Sequence, residues 1–306
     1  MISYRCPVCG APLVPHTEEK RFVCENPQGK AHCFDVARQG YVNLLLPQKK
    51  GANLPGDSKM MVNARTDFLD KDYYKPFSDA LNRICAALLA ERGTGAPACA
   101  EADPVGAAGT APTSAPAAFC IADAGCGEGY YTKNLAAHLP EASVCGFDLS
   151  RDAVAHAASS ARLRGLSNAA FGVASLFEMP LCDASCDGVV CLFAPVAEAE
   201  FARILKPGGF LVLGVPGEEH LFGLKKAVYD RPYPNELRRD ALPLFDFVRA
   251  ERVEYNMHLA CGDDIRNLFR MTPYYWKTSE QDFAKLSALD TLDTQAVFDL
   301  LVYRIK

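Results

Sequence analysis

The sequence lacks any long hydrophobic run. Its 306 residues contain no stretch of about 18 uninterrupted apolar residues, and no apolar segment follows basic residues at the start of the chain. The first absence argues against a transmembrane helix, and the second argues against a signal peptide. We therefore expect a cytoplasmic protein that does not associate with a membrane.

An excess of positive charge is also missing. The formal net charge is −5, which argues against broad, nonspecific binding of polyanions, although a local basic patch could still bind RNA. The 13 cysteines are odd in number, and Cys120, Cys145 and Cys191 each stand singly in an apolar run. Such cysteines are typical of a reduced protein core rather than of a disulfide framework.

What the chain does contain is a glycine-rich loop directly after a short apolar run. The run that begins at Ile121 leads into Asp123, and Gly125, Gly127 and Gly129 alternate with other residues before a helical segment. Because glycine has no Cβ, such a loop lets the backbone approach a ligand at the N-terminus of the following helix. The pattern predicts the first strand and cofactor loop of an α/β nucleotide-binding type of domain.

A second acid follows at the spacing that these folds use for a ribose ligand. About 20 residues beyond the last glycine, another apolar run ends in Asp148. The loop spacing is D-x-G-x-G-x-G rather than the G-x-G-x-x-G of dinucleotide-binding enzymes, which makes pyrophosphate binding a weaker interpretation. We predict that Asp148 accepts hydrogen bonds from the ribose of a cofactor.

The N-terminal residues have the spacing of a zinc site. Cys6 and Cys9 are separated by two residues, and Cys24 follows a short strand-like segment. His32 or Cys33 can supply the fourth ligand, because both lie within reach of the three cysteines. Because four protein ligands leave no open coordination position, we expect a structural zinc ion rather than a catalytic one.

Three segments, in order, resemble motifs of the class I S-adenosylmethionine-dependent methyltransferases. They are the glycine loop at 123–129, the strand-like segment 186–193, and the Lys-Pro-Gly-Gly turn at 206–209 with the apolar run that follows it. The resemblance implies that S-adenosylmethionine is the cofactor. It also implies that the acceptor approaches the end of the fourth strand.

Other segments resemble one branch of these enzymes, the 23S rRNA guanine-N1 methyltransferases, whose chains begin with a small zinc module. The similar segments are 34–45, 55–65, the turn at 216–221 and the turn at 271–273. This resemblance covers essentially the whole chain. It implies that the partner is 23S rRNA and that the zinc module helps to hold it. It also favours His32 over Cys33 as the fourth zinc ligand, because the family usually has a histidine there.

The resemblance also implies roles for single residues. Tyr74 is expected at the methionine end of the cofactor, His220 against the cofactor, and Ala174 and Ser175 beside the adenine. The predicted cofactor-binding residues are Tyr74, Asp123, Gly125, Gly127, Glu128, Gly129, Tyr130, Asp148, Ala174, Ser175 and His220. The candidates for the acceptor pocket are Phe193, Ala194 and Pro195. They do not form the Asn/Asp-Pro-Pro-aromatic tetrad typical of exocyclic amino methyltransferases, which suits a ring nitrogen such as guanine N1.

These observations predict an α/β fold, with a seven-stranded Rossmann-like methyltransferase sheet and a small N-terminal zinc-binding module. The predicted parts are a zinc-binding RNA-recognition module at 1–45, a connecting helical segment that contributes to the cofactor site at 46–92, a flexible low-complexity insertion at 93–118, and the class I methyltransferase domain at 119–306. A helical pattern starts at Arg65 and continues through Leu88. The last strand, at 296–305, is expected to be antiparallel to the others.

The predicted reaction is methyl transfer to N1 of a guanine in a 23S rRNA stem-loop, and two alternatives stay open. A small-molecule methyltransferase of the quinone-biosynthesis type would share the glycine loop, but it gives no reason for the zinc site. A zinc-containing RNA-binding protein without turnover would explain the zinc site, but the intact loop and Asp148 argue against it. The chain could also form a homodimer.

Overall fold

The computed structural model describes residues 2–26, 29–46, 57–93, 119–236 and 241–306. The strands are β1 (Leu13–His16), β2 (Arg21–Cys24), β3 (Cys33–Asp35), β4 (Val42–Asn43), β5 (Phe119–Ala124), β6 (Ala142–Asp148), β7 (Ala169–Val173), β8 (Cys186–Leu192), β9 (Leu205–Pro216), β10 (Phe245–Leu259) and β11 (Leu292–Ile305). The α-helices are α1 (Lys59–Leu69), α2 (Lys75–Gly93), α3 (Tyr130–His138), α4 (Arg151–Leu163), α5 (Glu198–Ile204), α6 (Phe222–Val228), α7 (Gly262–Arg270) and α8 (Glu280–Ser287). A 3-10 helix spans Pro273–Lys277.

The central sheet has the strand order β10-β11-β9-β8-β5-β6-β7-β4. Strands β4 to β9 in this sheet are parallel, and β11 is antiparallel to both β9 and β10, as predicted for the last strand. The prediction gave seven strands, whereas the sheet has eight in the described part of the chain. The additional strand is β4, which leaves the zinc module, pairs with β7 and forms one edge of the sheet.

Side chains of the central strands alternate between two buried faces of the sheet. In β8, Val190 and Leu192 join the core that includes side chains of α2, α3, α6, α7 and α8. Val189 and Cys191 point into the other core, which is shared with α5 and the zinc module. This period of two, with both faces buried, is the expected arrangement for a mainly parallel sheet between two layers.

The region with the predicted helical pattern, from Arg65 through Leu88, forms two helices that are separated by a turn. Helix α1 ends at Leu69, α2 begins at Lys75, and Asp72 between them has a φ of 62°. A residue in this left-handed region cannot continue a right-handed helix. The resulting turn carries Tyr74 into the core, where it is buried.

Two further predictions concern membranes and the insertion. In the described ranges, no helix has the length and apolar character needed to cross a bilayer. The predicted insertion at 93–118 lies outside the described residues, apart from Gly93 at the end of α2.

Candidate active site and zinc site

The glycine loop follows β5 at the edge of the sheet where the parallel strands end. Gly125, Gly127 and Gly129 all have positive φ values, of 84°, 53° and 74°. A Cβ atom on Gly125 would lie 2.7 Å from the Cβ of Ala194, and one on Gly129 would lie 2.7 Å from the Cβ of Ala157. Backbone conformation and lack of space therefore both require glycine at these two positions. The loop leads directly into the N-terminus of α3.

Asp148 supports the loop from the neighbouring strand. Because β5 and β6 are parallel and paired, their carboxyl ends bring the loop and Asp148 to the same edge. The Asp148 carboxylate accepts the N–H of Gly127 at 3.0 Å and that of Ser150 at 2.8 Å. Burial raises the pKa of Asp148, while these two hydrogen bonds lower it. Each carboxylate oxygen retains a second lone pair, so the group can also accept hydrogen bonds from the hydroxyls of a ligand.

Asp123 lies beneath the loop. It is 1% exposed, and it accepts a hydrogen bond from the hydroxyl of Thr132 on α3 at 2.5 Å. Burial raises the pKa of Asp123 to about 7, even though the Thr132 hydrogen bond lowers it. This contact joins the end of β5 to the first helix of the domain, and thereby fixes both ends of the glycine loop.

An arginine that sequence reasoning did not select lies against the same loop. Arg65, on α1, forms ion pairs with Asp57 and with Glu128, and the Nη1–Oε2 distance to Glu128 is 3.4 Å. Burial alone would lower the pKa of Arg65, but the charges of Glu128 and Asp57 raise it above its ordinary value. Glu128 is 3% exposed, so its charge depends on this partner. The two residues are 63 positions apart, and no local sequence pattern signals such a pair.

Ala174 and Ser175 begin the segment that follows β7, next to Asp148. The N–H of Ala174 donates to the backbone carbonyl of Asp148 at 3.1 Å. The Oγ of Ser175 accepts the N–H of Phe177 at 3.2 Å, which holds a tight turn. The structure therefore brings these two predicted residues together with the predicted ribose ligand.

Tyr74 and His220 contact each other in the core. The Tyr74 Oη lies 3.5 Å from the His220 Nε2, and the His220 Nδ1 accepts the N–H of Val297 at 3.2 Å. The ring proton of His220 therefore belongs on Nε2. Burial, with a smaller effect from the charge of Lys225, lowers the pKa of His220 to about 3. The pair is uncharged at neutral pH, and its histidine is a weak proton acceptor.

Phe193 follows β8 and presents an aromatic face beside the glycine loop. Its φ of 56° is unusual for a residue other than glycine. The Phe193 ring centroid lies 5.3 Å from that of Phe77 and 5.5 Å from that of Phe298, yet the residue is 46% exposed. Ala194, the next residue, lies against Gly125. This arrangement supplies an exposed ring at the end of the fourth parallel strand of the domain.

Two other predicted residues make contacts within the protein at the margins of this site. Tyr130 begins α3 and is buried, and its hydroxyl donates to Asp72 at 3.4 Å. The carbonyl of Pro195 accepts a weak hydrogen bond from the thiol of Cys191 at 3.6 Å. These contacts fix the start of α3 and the segment after β8.

The structure gathers Cys6, Cys9, Cys24 and His32 into one cluster, with their ligand atoms all within 4.8 Å of one another. The Sγ atoms of Cys9 and Cys24 are 3.7 Å apart, and the His32 Nδ1 lies 3.7 Å from the Cys6 Sγ and 3.3 Å from the Cys24 Sγ. With Zn–S bonds of about 2.3 Å, Zn–N bonds of about 2.0 Å and tetrahedral angles, two sulfur ligands lie about 3.8 Å apart, and a sulfur and a nitrogen ligand lie about 3.5 Å apart. The four side chains therefore fit a zinc ion.

Cys33, the alternative fourth ligand, is not part of this cluster. It is the first residue of β3, and it is exposed. The backbone N–H of His32 donates to the Cys24 Sγ at 3.0 Å, which draws His32 toward the cluster. Adjacent residues of an extended segment point to opposite sides, so only one of the two can face the ion.

Two family models match this chain. The model described as "Methyltransferase domain" matches residues 121–209, and the model described as "RlmA, N-terminal", a zinc ribbon, matches residues 4–53. The two matches include the glycine loop and the cysteine cluster, respectively.

Similar proteins of known name extend these matches over most of the chain. The 23S rRNA (guanine(748)-N(1))-methyltransferase of Streptomyces fradiae is 30% identical over 287 residues, which cover 92% of this chain and 88% of that protein. A Micromonospora griseorubida protein, provisionally named a 23S rRNA (guanine-N(1)-)-methyltransferase, is 35% identical over 223 residues, or 72% of this chain and 68% of that protein. A Bacillus subtilis (strain 168) protein with the same provisional name is 27% identical over 311 residues, or 98% and 96% of the two chains. This chain belongs to the 23S rRNA (guanine-N1) methyltransferase family.

Proposed function

We propose that this protein transfers the methyl group of S-adenosylmethionine to N1 of a guanine in 23S rRNA. The observation that carries the proposal is the similarity to the Streptomyces fradiae enzyme over 92% of this chain. In this chain, the match to the zinc ribbon precedes the match to the methyltransferase domain. A small-molecule methyltransferase of the quinone-biosynthesis type needs no such module. An RNA-binding protein without turnover needs no intact cofactor loop.

We propose that the residues around the glycine loop hold the cofactor at three places. Asp148 accepts hydrogen bonds from the ribose hydroxyls, Ala174 and Ser175 lie beside the adenine, and Tyr74 and His220 face the methionine end. The glycines let the loop backbone approach the ligand. When bound, the cofactor supplies a methyl group on a positively charged sulfur.

The charge of the site suits a cationic ligand. Asp57, Glu128 and Asp148 surround Arg65, so three carboxylates act on one guanidinium group. Burial raises the pKa of Glu128 and that of Asp148, because buried carboxylates ionise less readily without further positive charge nearby. A sulfonium ion would supply that charge.

We propose that the target guanine stacks on the exposed ring of Phe193. A base must leave its helical stack to reach such a site, and stacking on an aromatic side chain is worth about 1–3 kcal/mol. The main work of the protein is then to hold guanine N1 close to the methyl group and in line with it. N1 of neutral guanine carries a proton, and His220, with a pKa of about 3, is too weak a base to accept it at neutral pH.

We propose that Cys6, Cys9, Cys24 and His32 bind a structural zinc ion. Four protein ligands close the coordination sphere, so the ion stabilises the module rather than acting on a substrate. The strands β1, β2 and β3 are each only three or four residues long, and sheets of this size need additional support.

The proposed macromolecular partner is 23S rRNA, as the names of the relatives suggest. The zinc module would contact the RNA while the sheet edge holds the cofactor. An rRNA substrate is consistent with activity in the cytoplasm, and a homodimer stays a prediction.

The proposal is tested by methyl transfer from labelled S-adenosylmethionine to protein-free 23S rRNA that lacks its own modification. We expect label in the RNA, and mass mapping should find one methyl group on N1 of a single guanine. RNA that already carries the modification is the matched control and should accept no label. A protein that binds the cofactor but labels no RNA would contradict the assigned acceptor.

A further inference from the structure

We infer that the zinc module positions the adenine side of the cofactor site, so that loss of zinc weakens cofactor binding even when no RNA is present. The inference rests on the proposed function, because it takes residues 174–180 to be the segment beside the adenine. We call this segment the adenine loop. The zinc module contacts it at both of its ends.

The first contact is a backbone bridge from the N-terminus of the chain. The N–H of Arg5 donates to the carbonyl of Pro180 at 3.0 Å, and the N–H of Cys182 donates to the carbonyl of Ser3 at 2.9 Å. Tyr4 and Leu181 thus form an antiparallel bridge. The zinc ligand Cys6 directly follows this segment, so the ion fixes one end of the bridge.

The second contact is the strand that leaves the zinc module. Val42 and Asn43 pair in parallel with Gly172 and Val173, and the N–H of Leu44 donates to the Val173 carbonyl at 2.9 Å. The adenine loop begins at the next residue. Entry into the loop and exit from it are therefore both hydrogen-bonded to the zinc module.

The two parts also share one hydrophobic core. The buried zinc ligands Cys6 and Cys24 belong to the same cluster of buried side chains as Leu176 and Met179 of the adenine loop. Folding of the zinc module and placement of the loop are therefore coupled through packing as well as through the backbone.

Tyr4 connects the hairpin of β1 and β2 to β6, the strand that carries Asp148. Its ring packs edge-on against Phe22 of β2, with centroids 5.1 Å apart, and against Phe147 of β6, with centroids 6.3 Å apart. The Phe147 carbonyl accepts the N–H groups of Gly125 and Cys126, at 2.9 Å and 3.0 Å. Tyr4 thus contacts a residue that holds the glycine loop.

The adenine loop has a second support, which limits the expected effect. Arg203 of α5 donates to the carbonyls of Met179 and Leu181, at 2.9 Å and 2.8 Å. Without the zinc module, the hydrogen bonds from Arg203 would remain, while Pro180 and Cys182 would lose their hydrogen bonds to Arg5 and Ser3. Ordering even one residue upon binding costs about as much free energy as a tenfold change in affinity. We therefore expect cofactor affinity to fall about tenfold rather than to vanish.

The test measures binding of S-adenosylhomocysteine to the full chain by calorimetry, without RNA. The samples are zinc-loaded protein, protein stripped by a chelator, stripped protein with zinc restored, and Tyr4→Leu, which keeps all four proposed ligands. Phe247→Leu is the control, because it makes the same kind of change at an aromatic residue on the exposed part of β10. Zinc content and circular dichroism are recorded for each sample.

We expect the Kd to rise about tenfold on stripping, to recover when zinc is restored, and to rise about tenfold in Tyr4→Leu with one zinc still bound per chain. Folded, stripped protein or folded Tyr4→Leu that binds as tightly as the zinc-loaded protein would overturn the inference. If both samples unfold, Arg5→Pro, which removes the N–H that bonds to Pro180, is compared with Arg5→Ala, which keeps it. Equal Kd values for that pair would also overturn the inference. Zinc-loaded wild-type protein that fails to bind would instead contradict the proposed cofactor site.

Discussion

Replacing Asp148 by asparagine tests the ribose assignment with the smallest change of shape. The carboxylate accepts two backbone N–H groups, from Gly127 and Ser150, and is proposed to accept the ribose hydroxyls as well. An asparagine side chain has one acceptor oxygen and one NH₂ donor group. It cannot satisfy both backbone donors and the hydroxyls together.

The size of the effect follows from which bonds differ between the free and the bound protein. A backbone N–H that loses its acceptor does so in both states, so it changes stability but not affinity. A hydroxyl that loses its bond to a charged acceptor forfeits about 1.5–3 kcal/mol on binding, or roughly a 10-fold to 150-fold rise in Kd. Because burial raises the pKa of Asp148, removing its charge relieves a desolvation cost, and the variant should still fold.

The assay is calorimetric titration with S-adenosylmethionine and with S-adenosylhomocysteine. The ribose is the same in both ligands, so the two Kd values should rise by similar factors. Asp152→Asn, at an exposed carboxylate in the first turn of α4, is the matched control and should bind normally. A folded Asp148→Asn variant whose Kd stays within about threefold of wild type would refute the ribose assignment.

Three further predictions concern the remaining parts of the site. Arg65→Leu leaves the buried carboxylate of Glu128 without its cation, and we expect it to lower the free energy of unfolding by about 3 kcal/mol. Adding Glu128→Gln should restore part of this loss, as measured in thermal melts. A double variant no more stable than Arg65→Leu would argue against the ion pair. Burial raises the pKa of Asp123 to about 7. The free-energy cost of ionising this side chain in the folded protein is therefore absent near pH 4 and complete above pH 7. The contribution of Asp123 to stability thus falls as the pH rises between these values. Asp123→Asn removes that cost, so the melting temperature of the variant minus that of wild type should be larger at pH 8 than at pH 5. Equal differences at both pH values would show that Asp123 does not titrate in this range. Phe193→Ala should slow rRNA methylation about 10-fold or more, because the stacking with guanine is lost. The Kd for S-adenosylmethionine should stay unchanged. A normal rate of methylation would show that the guanine does not stack on Phe193.

Features built from nearby residues could be predicted well. The glycine loop, the strand that ends in Asp148 and the paired cysteines Cys6 and Cys9 all have short, specific patterns. A side chain that alternates between two faces, or a glycine that needs a positive φ, leaves its mark within a few positions.

The helix break at Asp72 shows where such patterns fail. The apolar spacing from Arg65 onward suits a helix on both sides of the turn, so periodicity alone does not locate the interruption. The left-handed conformation of Asp72 is accepted because the turn lets Tyr74 pack against Phe68 and Phe298. That packing depends on the rest of the fold.

By itself, the sequence determined the class of domain and the glycine loop, and it predicted the ribose ligand and most of the zinc ligands, since each depends on local chemistry and spacing. Only the tertiary structure decided that His32 rather than Cys33 faces the cysteines, and that Arg65 reaches Glu128. It also decided that Tyr4, near the N-terminus, forms a bridge with Leu181, directly after the segment proposed to lie beside the adenine. These contacts join residues that are distant in the chain, and their partners become neighbours only after the strands and helices have packed.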